Sequence, residues 1–179
     1  MNLGMLLDRN ARYLGGKTAL VFEGQRPTFA ELDRLVNRAA NALCAAGIRK
    51  GDKLATFLPN SLELYLLYWA AAKTGAVSVP LSTLLRGSGL ASLLSDSESA
   101  LLVASPELAE TVEAAGSQLS IPTERRFLTG DVRRAGWTAG GTYSRLVRTL
   151  PRRTPAFYPA TRTTSSIAAA RPACPRASS

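Results

Sequence analysis

Between Lys53 and Leu128 short apolar runs alternate with segments patterned for helix, and that rhythm leaves few folds open. Residues 53–58, 76–80 and 100–104 read as buried strands, with 126–128 a possible fourth. Between them, Asn60 is placed to cap a helix that has Glu63 three residues on and Gly75 at its end. Residues 88–95 and 106–115 are patterned for two more helices. Strands joined through helices of this length need right-handed crossovers rather than hairpins. The expected fold is therefore α/β, a mainly parallel sheet with helices on both faces.

The first fifty residues add a helical front. Leu3, Leu6, Leu7, Tyr13 and Leu14 fall at helical spacing, and Gly15-Gly16 ends that stretch. Residues 19–22 and 25–28 flank Glu23-Gly24, a short hairpin signal. Thr28 and Glu31 have the spacing of a capping box, in which hydroxyl and carboxylate each satisfy the other's free backbone amide. From there Phe29, Leu32, Leu35, Val36, Ala39, Ala40 and Leu43 form one apolar stripe. Asp33, Arg34, Asn37, Arg38 and Asn41 fall on the opposite side, and Gly47 supplies the left-handed turn that ends the helix.

Charge divides the chain in two. Of 22 Lys+Arg, seven (Arg145, Arg148, Arg152, Arg153, Arg162, Arg171, Arg176) lie beyond Trp137, whereas no Asp or Glu lies beyond Asp131. The net +9 thus splits into about +2 on residues 1–137 and +7 on residues 138–179. An Arg-rich, acid-free terminus suits nucleic acid or an anionic membrane through counterion release. Residues 138–179 nevertheless lack a helical stripe, interleaved aromatics or a repeat that would organise a binding face, and their composition reads as a disordered Arg/Ala/Pro-rich tail.

Several function classes are excluded or weakened by what the chain contains. It has no His, so His-based triads and His metal ligands are absent, and two cysteines, Cys44 and Cys174, are too few for a disulfide framework or a structural zinc site. The longest apolar run, 64–72, is far shorter than the ~20 residues that span a bilayer. The amino terminus has no signal-peptide pattern, which makes a reducing cytoplasm the default. Asp96-Ser97-Glu98 marks a turn before a strand. Gly15-Gly16-Lys17-Thr18 imitates the end of a Walker loop but has Ala11 where that loop needs Gly, and strand-like residues follow it. Gly87-Ser88-Gly89 opens a helix rather than a dinucleotide fingerprint. Glu31 is a cap, and Lys73 a charge complementing a helix C-terminus. No residue is assigned a catalytic, cofactor-binding or metal-binding role.

Phe22-Glu23-Gly24, Thr28-Phe29-Ala30-Glu31-Leu32, Gly51-Asp52, Leu58-Pro59-Asn60-Ser61 and the run Ala72-Lys73-Thr74-Gly75-Ala76-Val77-Ser78-Val79-Pro80-Leu81 occur in this order. Together they resemble the early motifs of the AMP-forming acyl-CoA synthetases, the adenylate-forming ligases, over roughly Leu3 to Gly136. The resemblance implies that residues 1–137 are the amino-terminal part of that family's large domain, which mostly supports the adenylation site. It also implies a parent enzyme that uses ATP, magnesium and coenzyme A to activate a fatty or related carboxylic acid through an acyl-adenylate. The family's phosphate-binding loop, its later acidic and Arg motifs, and its C-terminal domain with a catalytic Lys have no counterpart in the printed frame.

The tail carries a further trace of that loop. When the last base of each codon from Pro159 onward is joined to the first two of the next, synonymous choices permit Gly-Asp-Pro-Tyr-Asn-Ile-Ile-Tyr-Ser-Ser-Gly-Thr-Thr-Gly-Leu-Pro-Lys-Gly-Ile. This resembles the family's Ser/Thr/Gly-rich phosphate loop, so residues 138–179 are expected to be out of frame. The chain is then a truncated fragment, inactive alone and prone to aggregate or to need chaperones. Two rivals are a non-catalytic protein that holds nucleic acid or anionic membrane with its Arg-rich tail, and a small nucleotide-binding protein of doubly wound type.

Overall fold

A computed structural model describes residues 3–130, 135 and 137 of the chain. Helix α1 (Gly4–Tyr13) ends just before Gly15. The chain then turns through a two-residue hairpin in which Phe22 and Gln25 exchange both backbone hydrogen bonds. Glu23 (φ 45°) and Gly24 (φ 77°) both take the left-handed conformation that matches the twist of a tight hairpin. The pairing is confined to the bridges Phe22–Gln25 and Thr18–Thr28, shorter than the two expected strands.

The capping box forms as its spacing requires. The Thr28 amide donates to Glu31 Oε2 at 2.9 Å, and the Glu31 amide donates to Thr28 Oγ1 at 3.3 Å. Helix α2 (Phe29–Ala45) runs from it. Its far end is a Schellman turn: Ile48 N–H reaches Leu43 O, Gly47 N–H reaches Cys44 O, and Gly47 sits at φ 90°. Ile48 and Leu43 both enter the core there. Cys44, buried near that end, is not a free thiol.

Four parallel strands follow: β1 (Lys53–Phe57), β2 (Val77–Pro80), β3 (Leu101–Ala104) and β4 (Arg126–Leu128), in the order β2-β1-β3-β4. They are connected through α3 (Leu62–Thr74), α4 (Gly87–Asp96) and a 3-10 turn (Pro106–Leu108) that leads into α5 (Ala109–Ala114). The pleat explains how one short strand serves two cores. Leu54 on β1, Leu101 and Val103 on β3, and Phe127 on β4 point to the face covered by α1, α2 and α3. Ala55, Phe57, Leu102, Ala104 and Leu128 point to the face covered by α4 and α5. Strands buried on both sides read as continuous apolar runs, which is why they were legible.

The β1→β2 crossover moves outward through α3 on the first face. The β2→β3 crossover returns across β1 through α4 on the second, and β3→β4 goes on through α5. Reversing both direction and face preserves the hand, so all three crossovers turn alike.

Three local expectations are corrected. The cap of α3 is Ser61, not Asn60: Ser61 is extended (φ −152°) and its Oγ accepts from the Leu64 amide at 3.2 Å. The helix expected over 106–115 is split, because its first three residues close as a 3-10 turn. Asp33 and Asn37 do not lie on a solvated side of α2; they turn toward α3, and Asn37 is buried.

Candidate functional site

In a doubly wound sheet ligands bind beyond the carboxyl ends of the strands, where neighbouring strands send their helices to opposite faces. Here that place lies between β1 and β3. The loop after β1 (58–61) leads to α3 on one face, and the loop after β3 enters the turn before α5 on the other. Pro59 and Asn60 are exposed at its rim, and the Ser61 hydroxyl is engaged as the α3 cap. Ser105 Oγ is buried there without a hydrogen-bond partner. The crevice therefore offers amide and hydroxyl groups. Among the described residues, the turn after β3 also carries the exposed carboxylate Glu107.

Beside the same loop, a groove of about 200 Å³ lies between the hairpin and the first turns of α3. Leu20, Phe22, Leu62, Leu64, Tyr65 and Tyr68 line it, with Asn60 and Ser61 at the polar end. It is smaller than the ~300–1,000 Å³ typical of ligand pockets and presents chiefly apolar surface.

The Walker-like run is used for a turn. The Lys17 amide donates to Leu14 O, Lys17 O accepts from the Phe29 amide, and Gly15 O accepts from the Ala30 amide. Thr18 pairs with Thr28, and no helix begins there to aim amides at a phosphate. Gly87-Ser88-Gly89 opens α4 as expected. Asp96 ends α4 and Glu98 lies in the turn before β3, where its carboxylate meets Lys53 Nζ at 2.9 Å; that contact holds Glu98 below the usual carboxylate range. Among the described residues no group of three or more His, Cys, Asp or Glu could hold a metal ion.

The densest polar arrangement lies elsewhere, between the three helices of the first face. Lys73 is in the last turn of α3, but its side chain is fully buried and its ammonium does not serve the helix terminus. Nζ donates to Asp8 Oδ1 from α1, to Asp33 Oδ1 from α2 at 2.6 Å and to Asn37 Oδ1 at 2.7 Å. Asn37 Nδ2 in turn donates to Asp33 Oδ2 at 3.0 Å. Burial, opposed by Lys73 and reinforced by Asp33, pushes the Asp8 carboxyl above its ordinary range. Sequence reasoning found none of these partnerships. The available signals were a lone Lys inside an apolar helix and Asp33 and Asn37 one helical turn apart.

A family model described as AMP-binding enzyme matches residues 7–156. The long-chain-fatty-acid–CoA ligase FadD13 of Mycobacterium tuberculosis is 40% identical over 123 residues, which cover 68% of this chain and 24% of that protein. The crotonobetaine/carnitine–CoA ligase of Salmonella typhimurium is 34% identical over 135 residues, 73% of this chain and 26% of the relative. Among solved structures, the N-terminal domain of FACL13 from Mycobacterium tuberculosis superposes with a TM-score of 0.72 at 31% identity, covering 87% of this chain and 38% of that one. An anthranilate–CoA ligase, AuaEII, has the same fold with a TM-score of 0.77 at 24% identity, over 86% of this chain and 29% of that one. The chain spans about a quarter of the length of the curated relatives it matches.

Proposed function

From the premise that the chain belongs to the AMP-binding enzyme family, we propose that it is the amino-terminal scaffold portion of an ATP-dependent acyl-CoA ligase. The parent joins a fatty or related carboxylic acid to AMP and passes the acyl group to coenzyme A. This stretch supplies support rather than chemistry. The observation that carries the reading is the alignment to FadD13, in which two thirds of this chain accounts for a quarter of a ligase.

Adenylation needs preorganised donors for charge building on phosphate, and removing even one such donor costs about a hundredfold or more in other enzymes. This portion by itself is therefore inactive. An out-of-frame tail without a ligand lies within residues 138–179, where the shifted-frame motif begins at Pro159, and the place of action is the cytoplasm. The family match extends to residue 156, so the coding DNA must locate any change of frame. Expressed alone, the chain leans on chaperones or aggregates. Val77 on the edge strand β2 and Leu84 just beyond it are exposed apolar residues, and the outer side of β2 is an open sheet edge.

The test is pyrophosphate release by the purified chain with ATP, magnesium and a panel of carboxylic acids, alongside the nucleotide sequence through and past the stop codon. No turnover and a resumed ligase frame support the reading; acid-dependent conversion of ATP to AMP and pyrophosphate overturns it. Salt-sensitive binding of nucleic acid that is lost on deleting residues 138–179 would instead assign the tail a role.

A further inference from the structure

Helix α1 has weak local reasons to form or to stay where it is. At 10 residues it is shorter than isolated helices that persist in water, its N-terminus has no side-chain cap, and its first turn has no acid. Leu3, Met5 and Tyr13 on it are exposed. Only Gly4 and Leu7 are buried, and after Leu14 the chain passes through Gly15-Gly16. What fixes α1 is tertiary. Leu7 enters the core, and Gly4 lies so close to Lys73 that a Cβ there would come within 2.8 Å of Lys73 Cγ. Asp8 reaches the Lys73 ammonium.

The ammonium has three protons, and Asp8, Asp33 and Asn37 take all three. Asp33 is engaged on both oxygens, by Lys73 and by Asn37, and each oxygen keeps a lone pair. With both carboxylates ionised the cluster would hold two negative charges against one positive, around a lysine side chain with no solvent exposure. The surplus falls on Asp8 and Asp33, two like charges that share one ammonium and keep 29% and 18% of their side-chain exposure, and such a pair is relieved most simply by binding a proton. The charged groups acting on Asp8 are Lys73 from α3 and Asp33 from α2; Asp33 opposes its ionisation by hydrogen bond and by charge.

We propose that Asp8, Asp33, Asn37 and Lys73 form a half-buried proton-binding site that latches α1 onto α2 and α3. Asp8 docks with its carboxyl protonated, and the latch weakens as that proton is removed. The sign follows from linkage. A carboxyl whose folded-state pKa is raised binds more protons folded than unfolded, so its contribution is complete below the unfolded value near 3.8 and declines as pH rises through the folded value.

Hydrogen-exchange protection factors for residues 4–13 of the full 179-residue chain, measured across pH at sub-micromolar concentration, test this. The expected result is a fall in α1 protection of at most about tenfold per pH unit, the slope of one proton, with β1 and β3 unchanged. Asp8→Asn, which keeps an acceptor for Lys73 without the charge, should flatten that slope. Asp33→Asn should move the Asp8 titration to lower pH. A flat wild-type profile, or the wild-type slope persisting in Asp8→Asn, overturns the proposal. Should the variants fail to fold, the carboxyl carbon resonance of Asp8 in the wild-type chain decides: titration above the ordinary aspartate range supports the latch, and titration at or below it refutes it.

Discussion

The two faces of the sheet are closed by different means. On the first, α2 and α3 are long helices with a capping box, a Schellman turn and a left-handed Gly75 defining their ends, and a buried ion cluster joins them to α1. On the second, α4 and α5 are short and lack side-chain caps. That face depends on interdigitated Phe57, Leu90, Leu94 and Leu102, with Trp137 packed at its margin and donating to Glu113 Oε1 at 2.9 Å. One face thus fixes its helices largely by polar direction, and the other largely by shape. The first should fail when a charge loses its partner, the second when a cavity opens.

The largest expected effect breaks the polar face. Lys73→Ala strands the Asp33 carboxylate in a half-buried site and removes the hydrogen-bond donor of Asp8, and removing one partner of a buried ion pair typically costs about 3–5 kcal/mol. Chemical denaturation should show that loss, with exchange protection collapsing first in α1 and α3. Next, Leu90→Ala on α4 leaves a void on the apolar face and should cost about 2–5 kcal/mol by the same measurement. Its extra exchange should be concentrated in α4 and α5. Equal loss of protection on both faces in either variant would show that they melt as one unit, and the contrast would fail.

Smaller effects sharpen the comparison. Thr28→Ala removes the capping box and should cost about 1 kcal/mol, seen as fraying of the first turn of α2. The cap and the cluster should also respond to pH in opposite senses. The Thr28 backbone amide, and then its hydroxyl, hold the Glu31 carboxylate below its ordinary range, so the cap's contribution is present above the unfolded pKa and lost as pH falls through the folded one. Asp8 is shifted the other way. Acidification through the carboxylate range should therefore loosen the start of α2 while tightening α1, and residue-resolved exchange would separate the two. The smallest change is expected from Leu84→Ser, at a residue 82% exposed: folding stability within about 0.5 kcal/mol of wild type, but slower aggregation.

How much could be read beforehand follows the range of each interaction. The capping box, Gly47, Gly75, the hairpin tip and the apolar strands were all legible because their causes lie within about five residues of one another. The family could be read from the ordered motifs between Phe22 and Leu81. The Asn60-for-Ser61 error shows the limit of local signals, since two adjacent residues could each cap α3 and backbone geometry chose between them. Which loops meet at the strand ends could not be derived from spacing, because they come from parts of the chain far apart in sequence.

The sequence by itself determined which segments are strands and helices, that the sheet is mainly parallel with β1 and β3 buried on both sides, and that the chain resembles the scaffold end of a ligase. Those properties are written in residue periodicity and end signals, which act along the chain. Only the tertiary structure decided the strand order, which helices share a face, and the partnership of Lys73 with Asp8 and Asp33, 65 and 40 residues away. A buried charge is settled by whichever opposite charge packing brings within hydrogen-bond reach, and no local pattern in the chain encodes that meeting.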